Sequence, residues 1–391
     1  MELGTNETQS VYLDYNATAP MRPAALKAME EALHSVGNAS SIHHQGRDAA
    51  GRVDQSRRFL ADLLNCSASE IIFTSGATEA NNLALQAAYA EGGLIVTSAV
   101  EHPAVLEVAR ALTSEIPGSL SVLPVDRLGQ IDLEAFTESL QRYDVTLVSL
   151  MLANNETGVI TDLRPVVEAA HAVGALVHTD ATQYVGKLPV DLEELDVDLL
   201  SLSAHKFGGP QGVGALFIRR GIRLSQRPLV FGGGHERGWR AGTLNVPGIV
   251  GLGAAAEAAN HRLLDEASRI AKLRDLLEGE LLARLPGSYV NSSRAPRLPG
   301  VASITFPGAP ADAILASMPG VAASDGSACS AGAPSPSHVL VAMGLSREDA
   351  DATIRFSLGH STTEQEIRRA VVAAVRAVTH VQALMNATAG P

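Results

Sequence analysis

The chain has 391 residues, 46% of them hydrophobic and 18% charged. That is room for two domains at roughly 150 residues each, and a composition that excludes a disordered chain. A formal net charge of −12 repels polyanions, so nucleic acid is not an expected partner. The two cysteines, Cys66 and Cys329, exclude a disulfide framework and fit a reducing, cytoplasmic setting. The stretch from Met1 to Glu7 lacks the apolar core of a signal peptide. No apolar run reaches the ~18 residues of a membrane span, so no membrane association is expected.

In chain order, strand-like runs alternate with helical patterns. Ile71 to Phe73 precedes a helical pattern from Thr78 to Ala90, and Leu94 to Val96 precedes one from Ala104 to Leu112. Val145 to Leu152 is followed by a helix near Leu163 to Val173, and strands follow near 175–179, 198–202 and 213–218. This alternation predicts an α/β protein with a mostly parallel central sheet covered on both faces. Such sheets bind ligands beyond the carboxyl ends of their strands. After about residue 250 the texture changes. A long helical segment near Ile249 to Leu285 gives way to short strands at Ala302 to Phe306 and Thr353 to Ser357. A final helix starts at the capping-box sequence Thr363-Glu364-Gln365-Glu366, with Val371, Val375, Val378 and Val381 on its apolar face. The expected division is a large domain over 15–250 and a smaller α+β domain made of 1–14 and 251–391, the latter carrying the loop around Cys329.

The polar clusters fall at the strand ends. Asp180 ends the run from Ala175 to Thr179, and Lys206 follows the run from Asp198 to Leu202 within Ser203-Ala204-His205-Lys206. A lysine amine forms a Schiff base with an aldehyde cofactor, and an aspartate holds a pyridinium nitrogen protonated. The pair therefore points to pyridoxal phosphate. Thr74-Ser75-Gly76-Ala77-Thr78 offers backbone N–H groups of Ala77 and Thr78 at a helix start, where a phosphate would bind; helix capping by Ser75 or Thr78 explains the same residues. His102 can stack on a flat ring, and Asn155 and Gln183 can orient a ligand's polar groups. Ser203 and His205 flank the lysine, and a Gly-rich loop from Gly232 to Gly238 leads to Thr243. Gly186-Lys187-Leu188 lacks the rest of a Walker motif, no GxGxxG opens the first βαβ unit, and no His/Cys spacing indicates a metal site.

In order and spacing these segments resemble the cysteine desulfurases of the class V aminotransferases, enzymes of pyridoxal phosphate (PLP) fold type I. The resemblance begins at Tyr12-Leu13-Asp14-Tyr15-Asn16-Ala17-Thr18 and runs almost to the C-terminus. It includes Asn154-Asn155-Glu156, Gly233-Gly234-His235-Glu236-Arg237, Gly326-Ser327-Ala328-Cys329-Ser330 and Arg355-Phe356-Ser357-Leu358-Gly359. It implies that Lys206 carries the cofactor and shuttles protons, that Asp180 pairs with the ring nitrogen, and that His102 stacks on the ring. Gln183 would contact the ring hydroxyl, with Asn155 beside it near the substrate. Ala77, Thr78, Ser203 and His205 would hold the phosphate, with Thr243 reaching in from the second subunit of a homodimer. Arg355 would clamp the carboxylate of L-cysteine, and Cys329 would be the nucleophile that receives sulfur as a persulfide. The sulfur would pass to an acceptor protein, such as an iron–sulfur scaffold or a thiolation enzyme. The related alternative is a selenocysteine lyase or another class V PLP enzyme. Two departures, Asn38-Ala39-Ser40 for the common Asn-Pro-Ser and Ser335 for a common Glu before Pro336, bear on acceptor docking and loop mobility rather than on cofactor chemistry. Cys66, beside Asn65 at a helix end, reads as structural.

Overall fold

The computed structural model describes residues 10–89, 92–224, 228–326 and 336–388. The first half runs β1 (Val11–Tyr12), α1 (Pro23–Leu33), α2 (His44–Leu64), β2 (Ile71–Thr74), α3 (Ala77–Ala88), β3 (Leu94–Ser98), α4 (Pro103–Thr113), β4 (Leu120–Leu123), α5 (Leu133–Arg142), β5 (Val145–Ser149), α6 (Arg164–Ala172), β6 (Leu176–Asp180), α7 (Leu192–Leu195), β7 (Leu199–Ser203) and β8 (Gly214–Ile218). There follow α8 (Val246–Asn260), α9 (Leu263–Arg284), β9 (Tyr289–Val290), β10 (Val301–Thr305), α10 (Ala311–Ala316), β11 (Val321–Ala322), α11 (His338–Ala342), α12 (Arg347–Asp351), β12 (Thr353–Ser357) and α13 (Glu364–Thr388).

Among the described residues the main sheet has seven strands in the order β2-β8-β7-β6-β5-β3-β4. Only β8 runs antiparallel to its neighbours β2 and β7, so the sheet is mostly parallel. β2, β3 and β7 are buried along their whole length, which is why they read as continuous apolar runs rather than alternating ones. Asp180 closes β6 and pairs in register with Ser201 of β7. The two chemically suggestive strands therefore end side by side.

The outer edge of β2 is closed by side chains. Glu236 accepts the Phe73 N–H (2.8 Å), while Arg57 (2.7 Å) and Arg237 (2.6 Å) donate to the Ile71 carbonyl. Capping those groups removes a template for unwanted strand pairing. Glu236 is itself gripped by both guanidinium nitrogens of Arg57. This grip holds the Gly-rich loop against the sheet.

In the second half β12-β10-β9 form an antiparallel sheet, and β1 pairs with β11. Leu13, Leu277, Ile304, Phe356 and Val378 meet in one core, which draws on α9 and α13. By length and composition α13 could cross a bilayer. Ile367, Val371, Ala374, Val378 and Val381 instead bury its apolar face inside this core.

The expected continuous helix over 249–285 is two helices, interrupted at His261 and Arg262, where Arg262 leaves helical geometry (φ −122°, ψ 7°). The break has a packing reason. Leu252, Ala255 and Ala256 of α8 belong to the core of the main sheet, whereas Leu273, Leu277 and Leu281 of α9 belong to the smaller one. An expected boundary at 250/251 falls inside α8, and we propose that the division lies between α8 and α9. Arg22 bridges the two bodies through a buried bidentate pair with Glu266 of α9 (2.8 and 3.1 Å).

Candidate active site

A cavity of about 490 Å³ opens beyond the carboxyl ends of β6 and β7. Asp180, Gln183, Ser203, His205 and Lys206 line it, as do Ala77, Thr78, His102, Asn155 and Arg355. Ten of the twelve residues expected at the site thus border one space. Cys329 lies outside the described residues. Thr243 is exposed on the segment before α8, away from this cavity.

Each side chain is held by its element. Asp180 Oδ2 accepts from Asn81 Nδ2 of α3 (2.7 Å) and Oδ1 from the Thr182 N–H (2.9 Å). A carboxylate oxygen has two lone pairs, so both oxygens keep further accepting capacity. Lys206 sits in a single 3₁₀ turn after β7. Its Nζ donates to the carbonyls of Asn16 (2.6 Å) and Ala17 (2.8 Å). His205 Nδ1 lies 3.2 Å from Thr18 Oγ1, and the His205 carbonyl accepts from the Ala19 N–H. The N-terminal stretch thereby wraps the lysine turn. Burial, with help from the nearby Lys206 amine, pushes His205 down to about 4.

At the start of α3, Gly76 has no side chain with which to cap the helix. The first amides are available to an anion, reinforced by the helix dipole. The turn packs against β8 so closely that a Cβ on Gly214 would come within 2.7 Å of Gly76 Cα. That contact explains a glycine at the head of β8.

His102 is the N-cap of α4, and its Nδ1 accepts the Ala104 N–H (3.0 Å). This bond assigns the proton of the neutral ring to Nε2, and burial lowers the pKa. The result is a flat, uncharged ring at the cavity wall.

Glu101, one residue earlier, is fully enclosed. Its Oε1 accepts from Ser98 Oγ (2.7 Å) and the Met151 N–H (2.9 Å), while Oε2 has no partner among the described residues. Burial outweighs those two bonds and pushes the carboxyl up to about 8. The folded protein then keeps a proton that the unfolded chain releases around 4.5. The stability tied to that proton is complete below the unfolded value and is lost as the pH rises through about 8. Glu156, pushed up to about 7 by burial, acts in the same direction. His178, His205 and His360, pushed down to about 4 by burial, act oppositely and only below 6.5. Replacing Glu101 by glutamine is expected to flatten the fall of unfolding free energy between about pH 5 and 8 in urea titrations. A slope equal to that of the parent would mean that Glu101 is ionised in the fold.

Arg355, in the middle of β12, is 3% exposed. Its Nη2 pairs with Asp14 Oδ1 (2.8 Å), its Nη1 donates to the Asn155 carbonyl (3.1 Å), and its Nε has no partner among the described residues. Asn155 Oδ1 and Thr182 Oγ1 are likewise buried without partners there. Unpaired buried polar atoms facing one cavity call for a polar ligand. Both ends of the segment containing Cys329 approach Glu156. A Cβ on Gly326 would lie 2.8 Å from Glu156 Oε2, and Ser337 Oγ donates to the same oxygen. Ser324 exchanges backbone hydrogen bonds with Arg355.

The sequence reading missed Asp14, Asn16 and Asn81, which hold Arg355, Lys206 and Asp180. The signal for Asp14 and Asn16 was their place in the Tyr12–Thr18 stretch. Nothing in the local pattern of α3 singled out Asn81.

A sequence model of the family Aminotransferase class-V matches residues 11–370. A cysteine desulfurase of Cereibacter sphaeroides is 46% identical over 368 residues, covering 92% of this chain and 94% of that one. A NifS-like protein from Rickettsia africae superposes with a TM-score of 0.86 at 31% identity, covering 95% and 99% of the two chains. The structure "SspA in complex with cysteine" matches with a TM-score of 0.79 at 32% identity, covering 90% of this chain and 99% of that one.

Proposed function

The chain belongs to the class-V aminotransferase family and, within it, to the pyridoxal-phosphate-dependent cysteine desulfurases, and on that premise we propose that it converts L-cysteine to L-alanine and delivers the sulfur through a persulfide on Cys329. The reading rests on one observation: Asp180, Lys206 and Arg355, a carboxyl, an amine and a guanidinium, border one cavity.

The residues suit the cofactor. Asp180 would take the ring nitrogen, Lys206 the aldehyde, and Gln183 and Asn155 the ring hydroxyl and its surroundings. The uncapped start of α3 at Ala77 and Thr78, with Ser203 and His205, would take the phosphate. Unpaired Asn155 Oδ1 and Thr182 Oγ1 support a polar occupant. When bound, pyridoxal phosphate supplies the electron sink that weakens the substrate's Cβ–S bond.

The protein's own groups would do the rest. Arg355 would receive the substrate carboxylate on its planar fork. His102, neutral by burial, would cover the ring without adding charge. Lys206 would move the proton at the substrate's Cα. Cys329 Sγ would attack the substrate sulfur: a S–S bond forms, the Cβ–S bond breaks, and protons return to the carbon skeleton as alanine. Thiol and cysteine become persulfide and alanine with no external oxidant. Cys66 is unsuited to that task, because burial pushes its thiol up to about 12 and keeps it protonated.

The cysteine usage fits a reducing, cytoplasmic setting, and a persulfide, being a carrier rather than an end product, would pass its sulfur to an acceptor protein. A homodimer would bring exposed Thr243 to the partner's phosphate site and cover exposed Val36, Ile42 and Phe231. A monomer in sedimentation that still binds the cofactor tightly would contradict it. Replacing Cys329 by alanine is expected to abolish sulfide release with dithiothreitol while leaving cofactor absorbance intact. Unchanged turnover would favour a lyase that needs no enzyme thiol.

A further inference from the structure

A second lysine stands behind the cavity, unused by the chemistry above. Lys187 follows Gln183 by four residues in the run of turns after β6. Part of its surface borders a narrow cleft of about 40 Å³ that it shares with Lys206, while its amine lies deep in the protein. The amine donates to Gln183 Oε1 (2.6 Å) and Asn16 Oδ1 (2.8 Å).

Both acceptors belong to the surroundings of Lys206. Gln183 Nε2 donates to the Asn16 carbonyl (2.9 Å), the carbonyl that also receives Lys206 Nζ (2.6 Å). Asn16 Nδ2 donates to the Asn155 carbonyl (2.9 Å). An amide side chain has an accepting end and a donating end, and its neighbours decide which faces where. By occupying both oxygens, Lys187 turns both NH₂ groups away from itself. One N–H of Gln183 goes to Asn16, and the other is left for the cavity.

The amine's state agrees with this geometry. Burial, followed by the cations Lys206 and Arg355, holds it well below the usual lysine range. A neutral amine has two N–H groups, and Lys187 has two acceptors for them.

We propose that Lys187 is a positioning residue of the cofactor site: it fixes the Gln183 amide with an N–H toward the cofactor's ring oxygen, and so sets the pH at which the cofactor held by Lys206 changes colour. The inference rests on the reading that Gln183 borders that ring oxygen. A donor there stabilises the oxygen when it bears the negative charge of the deprotonated form. The N–H dipoles also oppose a proton at Lys206. Both effects lower the transition pH, so losing Lys187 raises it. The other charged or titratable groups lining the spaces that Lys206 borders are Glu79, His102, Asp180, His205 and Arg355 on the cavity side, and Tyr15, Arg22, Glu266 and His360 behind. All remain when Lys187 is changed.

The test is a spectrophotometric pH titration of holoenzyme without substrate. Lys187→Met, which keeps length but no donor, is expected to raise the colour transition by on the order of one pH unit. Lys187→Gln, which restores a donor, should raise it less, and it decides the matter if the methionine variant does not fold. Adding Lys187→Met to Gln183→Leu should give no further shift beyond Gln183→Leu alone. A transition at the parent's pH in the folded variants overturns the proposal, even if melting temperature or turnover falls. Failure of the parent protein to acquire a pH-dependent visible band would instead sink the cofactor reading itself.

Discussion

Replacing Lys206 by alanine is expected to strip the protein of the visible absorbance of covalently held pyridoxal phosphate and to lower desulfuration by about 10³-fold or more. The expectation follows from position. Lys206 hangs from a short turn after β7, with its amine drawn to the Asn16 and Ala17 carbonyls at the cavity wall. Among the described residues lining that cavity it is the only lysine. Lys187 borders instead the narrow cleft behind it and is committed to Gln183 and Asn16, so it is no substitute. Two functions disappear together: the covalent anchor and the group that moves the Cα proton. The fold should survive, because β7 and Asp180 do not depend on the side chain. A visible band that persists in the alanine variant through gel filtration would mean that another amine holds the cofactor.

Replacing Arg355 by leucine is expected to lower kcat/KM for L-cysteine by about 10²- to 10³-fold, mostly through KM. Truncating one partner of a buried, hydrogen-bonded charge pair costs about 2–5 kcal/mol, and each 1.4 kcal/mol is about a factor of ten. Asp14 and the Asn155 carbonyl hold the guanidinium in place, while Nε remains without a partner among the described residues. The fork is therefore oriented before substrate arrives, with donor capacity left for a carboxylate. Lysine at this position should rescue little, since a point charge on a flexible stem cannot reproduce the planar fork. Asp14 loses its partner in the leucine variant, so some loss of stability should accompany the kinetic effect. A variant with parental KM would place the substrate carboxylate elsewhere.

The site was legible in the sequence to the extent that chemistry sits at strand ends. The apolar runs leading to Asp180 and Lys206 placed both at the same edge of a parallel sheet, and the register of β6 against β7 brings them together. Asn81 was not legible, because it meets Asp180 across 99 residues of sequence and reads locally as an ordinary helix residue. Lys187 was set aside as a failed phosphate motif, since nothing in Gly186-Lys187-Leu188 reveals that its amine turns inward toward Gln183. The α/β layout was read from alternation, but β4 and α5 were missed. β4 is an edge strand with only Leu123 fully buried, and α5 buries only Phe136 and Ser139, so neither carries a strong apolar signal. The split between α8 and α9 escaped for the opposite reason. Both helices are apolar enough to read as one, and only the change of core at His261 and Arg262 separates them.

The decisive step of the proposed reaction is the passage of sulfur from L-cysteine to Cys329. The direct measurement is a single turnover of the holoenzyme with L-cysteine, without reductant, followed by mass spectrometry of the Cys329 peptide and quantification of alanine. One added sulfur on Cys329 and one alanine are expected for each site that reacts. Alanine formed at the same rate with Cys329 unmodified would contradict that step.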